Sequence, residues 1–355
     1  MLRRRHQDPY APMKRRATIM EVARLAGVSF KTVSRVVNNE PSVKPEKRQA
    51  VFSAMKMLDY TPNISARQLA SNRSYLLALL FDTPADHVLR AQAGAISRCR
   101  EAGYHLVVEE VPSGFETEIT NRLQSLRVDG VIITPPLSHR SAIRRALRER
   151  GLPFVLLAPE EHDPQAPSVG MDDEAAAFDM TRLLIGLGHR DIGFIGVPSR
   201  PAAQRRRTGF MRAMTEARLA VRPEFECDGD FHFLSGQRAG RHLLGLAHPP
   251  TAIFAANDNM ALGLMAAAAL RGVRVPGDLS VAGFDDSASA SVVFPQLTTV
   301  RQPLPEMTAA AVDLLLKRHA PPEPVRLILP FEVIVRGSTA AGPGSGAPAS
   351  RRLDR

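Results

Sequence analysis

Between Ser29 and Asn38 the chain sets Phe30, Lys31, Thr32, Ser34 and Arg35 within two helical turns. Donors, acceptors and one ring at that spacing suit the edges of base pairs and the phosphates that flank them. A guanidinium such as Arg35 makes paired hydrogen bonds to guanine, while Thr32 and Asn38 stand where phosphates pass. A second polar set lies far downstream. Asp82, Asn257 with Asp258, and Asp285 with Asp286 each follow a short apolar run, LLALLF, AIFAA and LSVAGF in turn. In open parallel sheets ligands bind beyond the carboxyl ends of the strands, so these positions are candidates for gripping a small polar molecule. No catalytic constellation competes with them. GxSxG, Walker, HExxH and strand-following GxGxxG patterns are absent, and GFIGVPSR only weakly imitates a phosphate loop. Cys99 and Cys227 have no metal-ligand spacing. The expectation is no enzyme, no catalytic residue, no metal and no cofactor.

The elements that must hold the first set are short helices. Thr18 followed by Glu21 is a capping box, so a helix begins there, and Val22, Ala23 and Ala26 give it a small apolar face. Gly27 permits a turn. Ser29 caps a second helix, on which Val33, Val36 and Val37 form the buried stripe and leave Phe30, Lys31, Ser34 and Arg35 outward. A third helix is expected from Pro45 to Leu58, with Val51, Met55 and Leu58 on one face. Two helices and a tight turn in this arrangement read as a helix-turn-helix over residues 18–62.

Charge is distributed to match. Residues 1–74 carry 15 Lys and Arg against 5 Asp and Glu, whereas the other 281 residues carry 31 of each sign, so the net charge of +10 belongs to the segment expected to displace counterions from phosphates. Residues 1–17 form a basic extension, expected to be disordered, with no apolar run to serve as a signal peptide or membrane anchor. The change of character at Pro12 marks Met13 as an alternative start. Two cysteines in 355 residues suit a reducing cytoplasm.

Residues 63–74 follow as a linker, where Asn63 caps a helix of about two turns, too short to persist alone in water, so it is expected to order on DNA. From residue 75 to 339, apolar runs at 76–81, 105–109, 129–134, 153–157, 191–197, 252–256 and 279–284 alternate with helical stretches. That is the grammar of parallel sheets covered on both faces, and the stretch is long enough for two lobes. Residues 340–355, AAGPGSGAPASRRLDR, read as a disordered tail without a leucine heptad, which leaves a homodimer as the simplest assembly.

AGVSFKTVSRVVNN, YTPNISARQLA, LGHRDIGFIG, AANDNMALG, VAGFDD and LTTVRQP occur in this order over roughly residues 17–337, and the chain thereby resembles the family of the lac and purine repressors. The resemblance implies an all-α helix-turn-helix domain, a hinge helix and an α/β core of two lobes shaped like periplasmic binding proteins. It implies a dimeric regulator on a near-palindromic double-stranded operator, with hinge helices paired in the minor groove and Leu69 as the wedge between base pairs. Thr18, Ser29, Asn63 and Ala66 join the DNA-contacting positions on the same ground. For the effector, Arg206, Phe231, Asn257 and Asp285 match contacting positions, with Asp172 and Gln302 less securely placed and Asp82 at the end of the first run. The implied effector is a small sugar that releases the repressor: Asp, Asn and Arg pair with vicinal hydroxyls, and a ring at Phe231 covers a pyranose face. A purine-like corepressor is the alternative. DTPADHVLR after Phe81 departs from the Asp-x-x-x-Asn-Pro-Phe pattern of the family. Asp258 and Asp286 are expected to hold helix or strand ends, Arg205 and Arg207 to be solvated, and His189 to sit at a helix end.

Overall fold

A computed structural model of the chain describes residues 17–37, 42–60, 73–83, 86–159, 163–317 and 325–343. Asn38, Asn63, Ala66 and Leu69 lie outside the described residues, as do most of the basic extension, the hinge and the last twelve residues. The chain divides into two compact units, Met1–Tyr75 and Leu76–Arg355.

The first unit has three helices, α1 (Ile19–Leu25), α2 (Phe30–Val37) and α3 (Pro45–Met57). The capping box forms in full: the Glu21 N–H donates to the Thr18 hydroxyl at 3.3 Å and the Thr18 N–H to the Glu21 carboxylate at 2.7 Å. Gly27 turns the chain with φ +64°, a conformation a β-carbon would strain. Ser29 then accepts the Thr32 N–H at 3.2 Å and starts α2. Val22, Ala23, Val33, Val36, Val51 and Ala54 make a small core, with Met55 and Leu58 packed at its margin.

The second unit has two lobes. The N-lobe sheet runs in the order β11-β5-β4-β3-β1-β2, wholly parallel: β1 (Leu76–Phe81), β2 (His105–Glu110), β3 (Gly130–Ile133), β4 (Phe154–Leu157), β5 (Ser168–Gly170) and β11 (Arg326–Ile328). Helices α4 (Asp86–Glu101), α5 (Glu116–Ser125), α6 (Ser141–Glu149) and α12 (Leu304–Leu316) accompany it. The C-lobe sheet, also parallel, runs β7-β6-β8-β9 with β6 (Ile192–Gly196), β7 (Glu226–Asp228), β8 (Ala252–Ala255) and β9 (Ser280–Ala282). Its helices are α7 (Asp173–Gly186), α8 (Pro201–Glu216), α9 (Phe233–Leu243), α10 (Asp258–Leu270) and the short α11 (Ala288–Val292); β10 (Thr299–Arg301) and β12 (Glu332–Ile334) pair antiparallel beside them. The chain crosses between lobes at 170–173, 301–304 and 328–332.

Two helix pairs of the C-lobe touch backbone to backbone. A β-carbon on Gly263 would stand 2.0 Å from the Phe233 carbonyl and one on Gly236 2.1 Å from that of Met260, so α9 and α10 meet where neither can carry a side chain. Gly209 of α8 lies as close to the Glu174 carbonyl of α7.

Residues 340–342 depart from the expected tail. Ala340 accepts a hydrogen bond from His189 Nε2 at 3.1 Å, and the Gly342 N–H donates to the Leu187 carbonyl at 2.7 Å. His189 is itself a core residue just past α7, 3% exposed, and its other nitrogen meets Thr251 Oγ1 at 2.9 Å. Glycine at 342 is what lets the strand of chain lie against that ring.

Candidate functional site

On the helical unit, Phe30, Lys31 and Arg35 of α2 are exposed while Val33 and Val36 are buried, so the apolar stripe holds the helix and the outward face is left to chemistry. Thr32 and Ser34 are half-buried, and the Thr32 hydroxyl lies 3.0 Å from that of Ser29. Thr18 and Ser29 spend side-chain oxygens on the N-termini of α1 and α2. Arg24, Lys44, Lys47 and Lys56 are exposed on the same unit. A helix presenting Lys31, Ser34 and Arg35 from a basic three-helix body can enter a major groove and read donor and acceptor patterns there.

The second site is built around Arg206, 6% exposed on α8. Its Nε donates to Asp173 Oδ1 at 2.9 Å and its Nη1 to the Ala256 carbonyl at 2.6 Å, while Nη1 stands 3.8 Å from Asp285 Oδ1. The guanidinium lies 3.6 Å above the Phe284 ring. Asp285 receives the Gln302 amide at 2.5 Å. Asn257 caps α10, its Oδ1 accepting the Met260 N–H at 3.0 Å and its Nδ2 donating to the Phe231 carbonyl at 3.0 Å. Arg206, Phe231, Asn257, Asp285 and Gln302 therefore come together near the carboxyl ends of β7, β8, β9 and β10, as the polar residues after the β8 and β9 runs suggest.

The other two expected residues are engaged differently. Asp172 is exposed and caps α7, accepting the Ala175 N–H at 2.9 Å, while the buried neighbour Asp173 is the one that reaches Arg206. Asp82 pairs with Arg140 of the N-lobe at 2.7 Å. Of the flanking arginines, Arg207 grips Glu226 and Arg205 stands 3.4 Å from Asp173, so neither is merely solvated.

Backbone strain gathers here. Phe231, Asp285 and Asp286 hold φ of +69°, +123° and +53°, conformations that cost non-glycine residues of order 1–3 kcal/mol each and persist only where surroundings enforce them. Electrostatics gather as well. Asp258, 1% exposed, accepts Thr299 Oγ1 at 2.6 Å and the Ser287 N–H at 2.7 Å. Burial, reinforced by the nearby Asp285 carboxylate, pushes its pKa up to about 7. Burial also raises that of Asp285, against the pull of Arg206. Burial works against ionisation of Asp286 too, yet Arg301 and Arg336 hold its carboxyl below the usual range. Asp286 is a clasp between strand ends, with Arg301 at 2.7 Å and Arg336 at 2.5 Å.

Sequence reasoning misses Asp173, Phe284 and Arg90. For Asp173 a signal exists: once Asp172 is spent as the cap, the next residue is free to face inward. For Arg90 there is none, because its partners lie about two hundred residues away. Among the described residues no group of three or more His, Cys, Asp or Glu is arranged to hold a metal ion, and no helix is long and apolar enough to cross a membrane.

Residues 18–63 match the family model for bacterial regulatory proteins of the lacI family, and residues 181–339 match that of a periplasmic binding protein-like domain. Catabolite control protein A of Priestia megaterium is 36% identical over 305 residues, covering 84% of this chain and 92% of that protein. The solved lac repressor dimer bound to operator and the anti-inducer ONPF aligns with a TM-score of 0.70 at 32% identity, covering 92% of this chain and all of that one. The complex of the transcriptional regulator CelR with cellobiose aligns with a TM-score of 0.68 at 33% identity, covering 91% and 100%.

Proposed function

We propose that this chain, which belongs to the lacI family of bacterial regulatory proteins, releases its operator when a small carbohydrate enters the cleft lined by Arg206, Phe231, Asn257, Asp285 and Gln302. It is a DNA-binding transcription regulator and not an enzyme. The observation that carries the carbohydrate reading is the chain Asp173–Arg206–Asp285–Gln302, a run of charged and amide groups each within 4 Å of the next, buried at Asp173 and Arg206 and half-buried at Asp285 and Gln302. Vicinal hydroxyls offer donors and acceptors at matching spacing, and the Phe231 ring supplies an apolar face. The CelR complex, whose ligand is a disaccharide, supports the same class.

On DNA, two copies of α2 enter successive major grooves of a near-palindrome, with Lys31, Ser34 and Arg35 toward base edges and Ser29, Thr32 and Asn38 toward phosphates. Asn63, Ala66 and Leu69 supply the minor-groove contacts of the hinge. The homodimer needs a self-complementary surface. The C-lobe offers one in Val292 and Phe294, 81% and 96% exposed, beside an apolar groove of about 480 Å³ that includes Phe233 and Met265. The site of action is the cytoplasm. A carbohydrate that favours one lobe arrangement by 2–3 kcal/mol would change operator affinity on the order of 30- to 150-fold.

The test is a thermal-shift series on the full chain with glucose, ribose, cellobiose, glucose 6-phosphate, guanine and hypoxanthine. A ligand at a hundred times its Kd adds about 2.7 kcal/mol, roughly 5–10 °C for a core of this size. A shift with a sugar supports the reading. A shift with the purines alone overturns it in favour of corepression.

A further inference from the structure

Arg90 lies in the first half of α4, in the N-lobe, yet its hydrogen-bond partners belong to the other lobe and to a crossing between the lobes. Nη1 donates to the carbonyls of Asp285 at 2.6 Å and Asp286 at 3.2 Å, and Nη2 to the carbonyl of Gln302 at 2.9 Å. Those carbonyls sit on the two segments that carry the Asp285 carboxylate and the Gln302 amide, which meet at 2.5 Å. Two of them belong to consecutive residues with positive φ, a backbone turn that needs an outside anchor to persist. A planar guanidinium with forked donors can bind several carbonyls at once, which an ammonium on a flexible stem does poorly.

The platform under Arg90 is fixed. Gly94, four residues on and so on the same face of α4, lies where a β-carbon would stand 2.3 Å from the Pro305 carbonyl, at the start of α12. The helix is thus pressed onto the chain just past Gln302, one of the three crossings between lobes. Nearer the helix start, His87 Nε2 is 3.1 Å from the Pro135 carbonyl of the N-lobe.

We propose that Arg90 is the positioning residue of the cleft: it clamps the 285–286 turn to the 302 crossing, aims Asp285 and Gln302 at the effector, and ties their placement to the N-lobe. The proposal rests on the reading of this cleft as the effector site for its functional half alone, since the clamp itself is testable without a ligand.

The experiment uses the full chain with Arg90→Met, Arg90→Lys, and Arg98→Met as a control, Arg98 being an α4 arginine paired instead with Asp313 at 2.6 Å. In the ligand-free proteins, amide hydrogen exchange at 283–287, 302 and 304 should be at least tenfold faster in Arg90→Met, intermediate in Arg90→Lys and unchanged in Arg98→Met, with 261–270 unchanged throughout. No acceleration at 283–287, or acceleration across the whole C-lobe, overturns the clamp. Should Arg90→Met fail to fold, Arg90→Lys decides by the same local pattern. Cellobiose and ribose are then titrated into each protein. Where either binds the parent chain, Arg90→Met should weaken it at least tenfold, Arg90→Lys less, and Arg98→Met not at all; equal affinity in Arg90→Met overturns the aiming role. Binding of neither sugar to the parent chain counts against the carbohydrate reading, while the exchange data still decide the clamp.

Discussion

The guanidinium of Arg206 lies 3.6 Å over the Phe284 ring while its Nε donates to Asp173 at 2.9 Å, so one side chain is held by a ring face and a carboxylate at once. Arg206 is as much a structural member of the C-lobe as a candidate effector contact. Replacing it with alanine leaves the buried Asp173 with only the more distant Arg205, at 3.4 Å, for a cation. A destabilisation of roughly 2–3 kcal/mol is expected, below the roughly 3–5 kcal/mol of a wholly uncompensated buried charge, together with loss of the effector response. Urea unfolding and ligand titration check the two separately, and Asp173→Asn added to Arg206→Ala should recover part of the stability but none of the response.

Asp258 sets a pH dependence of defined sign. Its folded pKa of about 7 stands above the ordinary 3.8, so the native state keeps a proton that the unfolded chain releases. The stability this group contributes is present in full below about pH 4 and is lost as pH rises through 7. Over that window the loss is on the order of 4 kcal/mol. Asp258→Asn should flatten this part of a Tm-against-pH curve; a curve with the same slope in the variant would contradict the assignment. His139 acts in the opposite sense. Burial lowers its pKa to about 4, so stability is lost as pH falls below 6.5.

Arg35→Ala should weaken binding to a selected operator by roughly 1–3 kcal/mol and relax the base preference at one position of each half-site. Fluorescence anisotropy on selected and unrelated duplexes distinguishes this from a phosphate contact, which would weaken both equally.

Phe294→Asp should leave the fold intact, because the ring is 96% exposed, and should shift the dimer toward monomer. Sedimentation velocity at micromolar concentration reads the shift directly. An unchanged sedimentation coefficient would move the dimer surface elsewhere.

What could be read in advance follows from the range of the forces involved. The capping box at Thr18 and Glu21, the glycine at 27 and the buried stripe of α2 are local, and the chain states them within twenty residues. Long apolar runs announced β1, β2, β3, β4, β6, β8 and β9. The strands β5, β7, β10, β11 and β12 are each three residues long and carry no run that stands out; they exist because a neighbour supplies the pairing. The same division holds at the site. Asp285 and Asn257 are marked by the strands they follow, whereas the Asp173–Arg206 and Arg90–Asp285 contacts are products of tertiary packing. Asp172 was singled out one residue away from the carboxylate that reaches Arg206, because capping and inward orientation belong to successive residues of a helix start.

The glycines at 209, 236 and 263 bear on how the lobes can move. Helices in backbone contact have no layer of side chains to slide or repack, so these two helix pairs resist deformation within the C-lobe. Motion of one lobe against the other is then left to torsion in the short crossings at 170–173, 301–304 and 328–332, two of which are stiffened by Pro303 and Pro330. Such a joint has few degrees of freedom. A small rotation between the lobes would be carried to the far end of the C-lobe with little absorbed along the way.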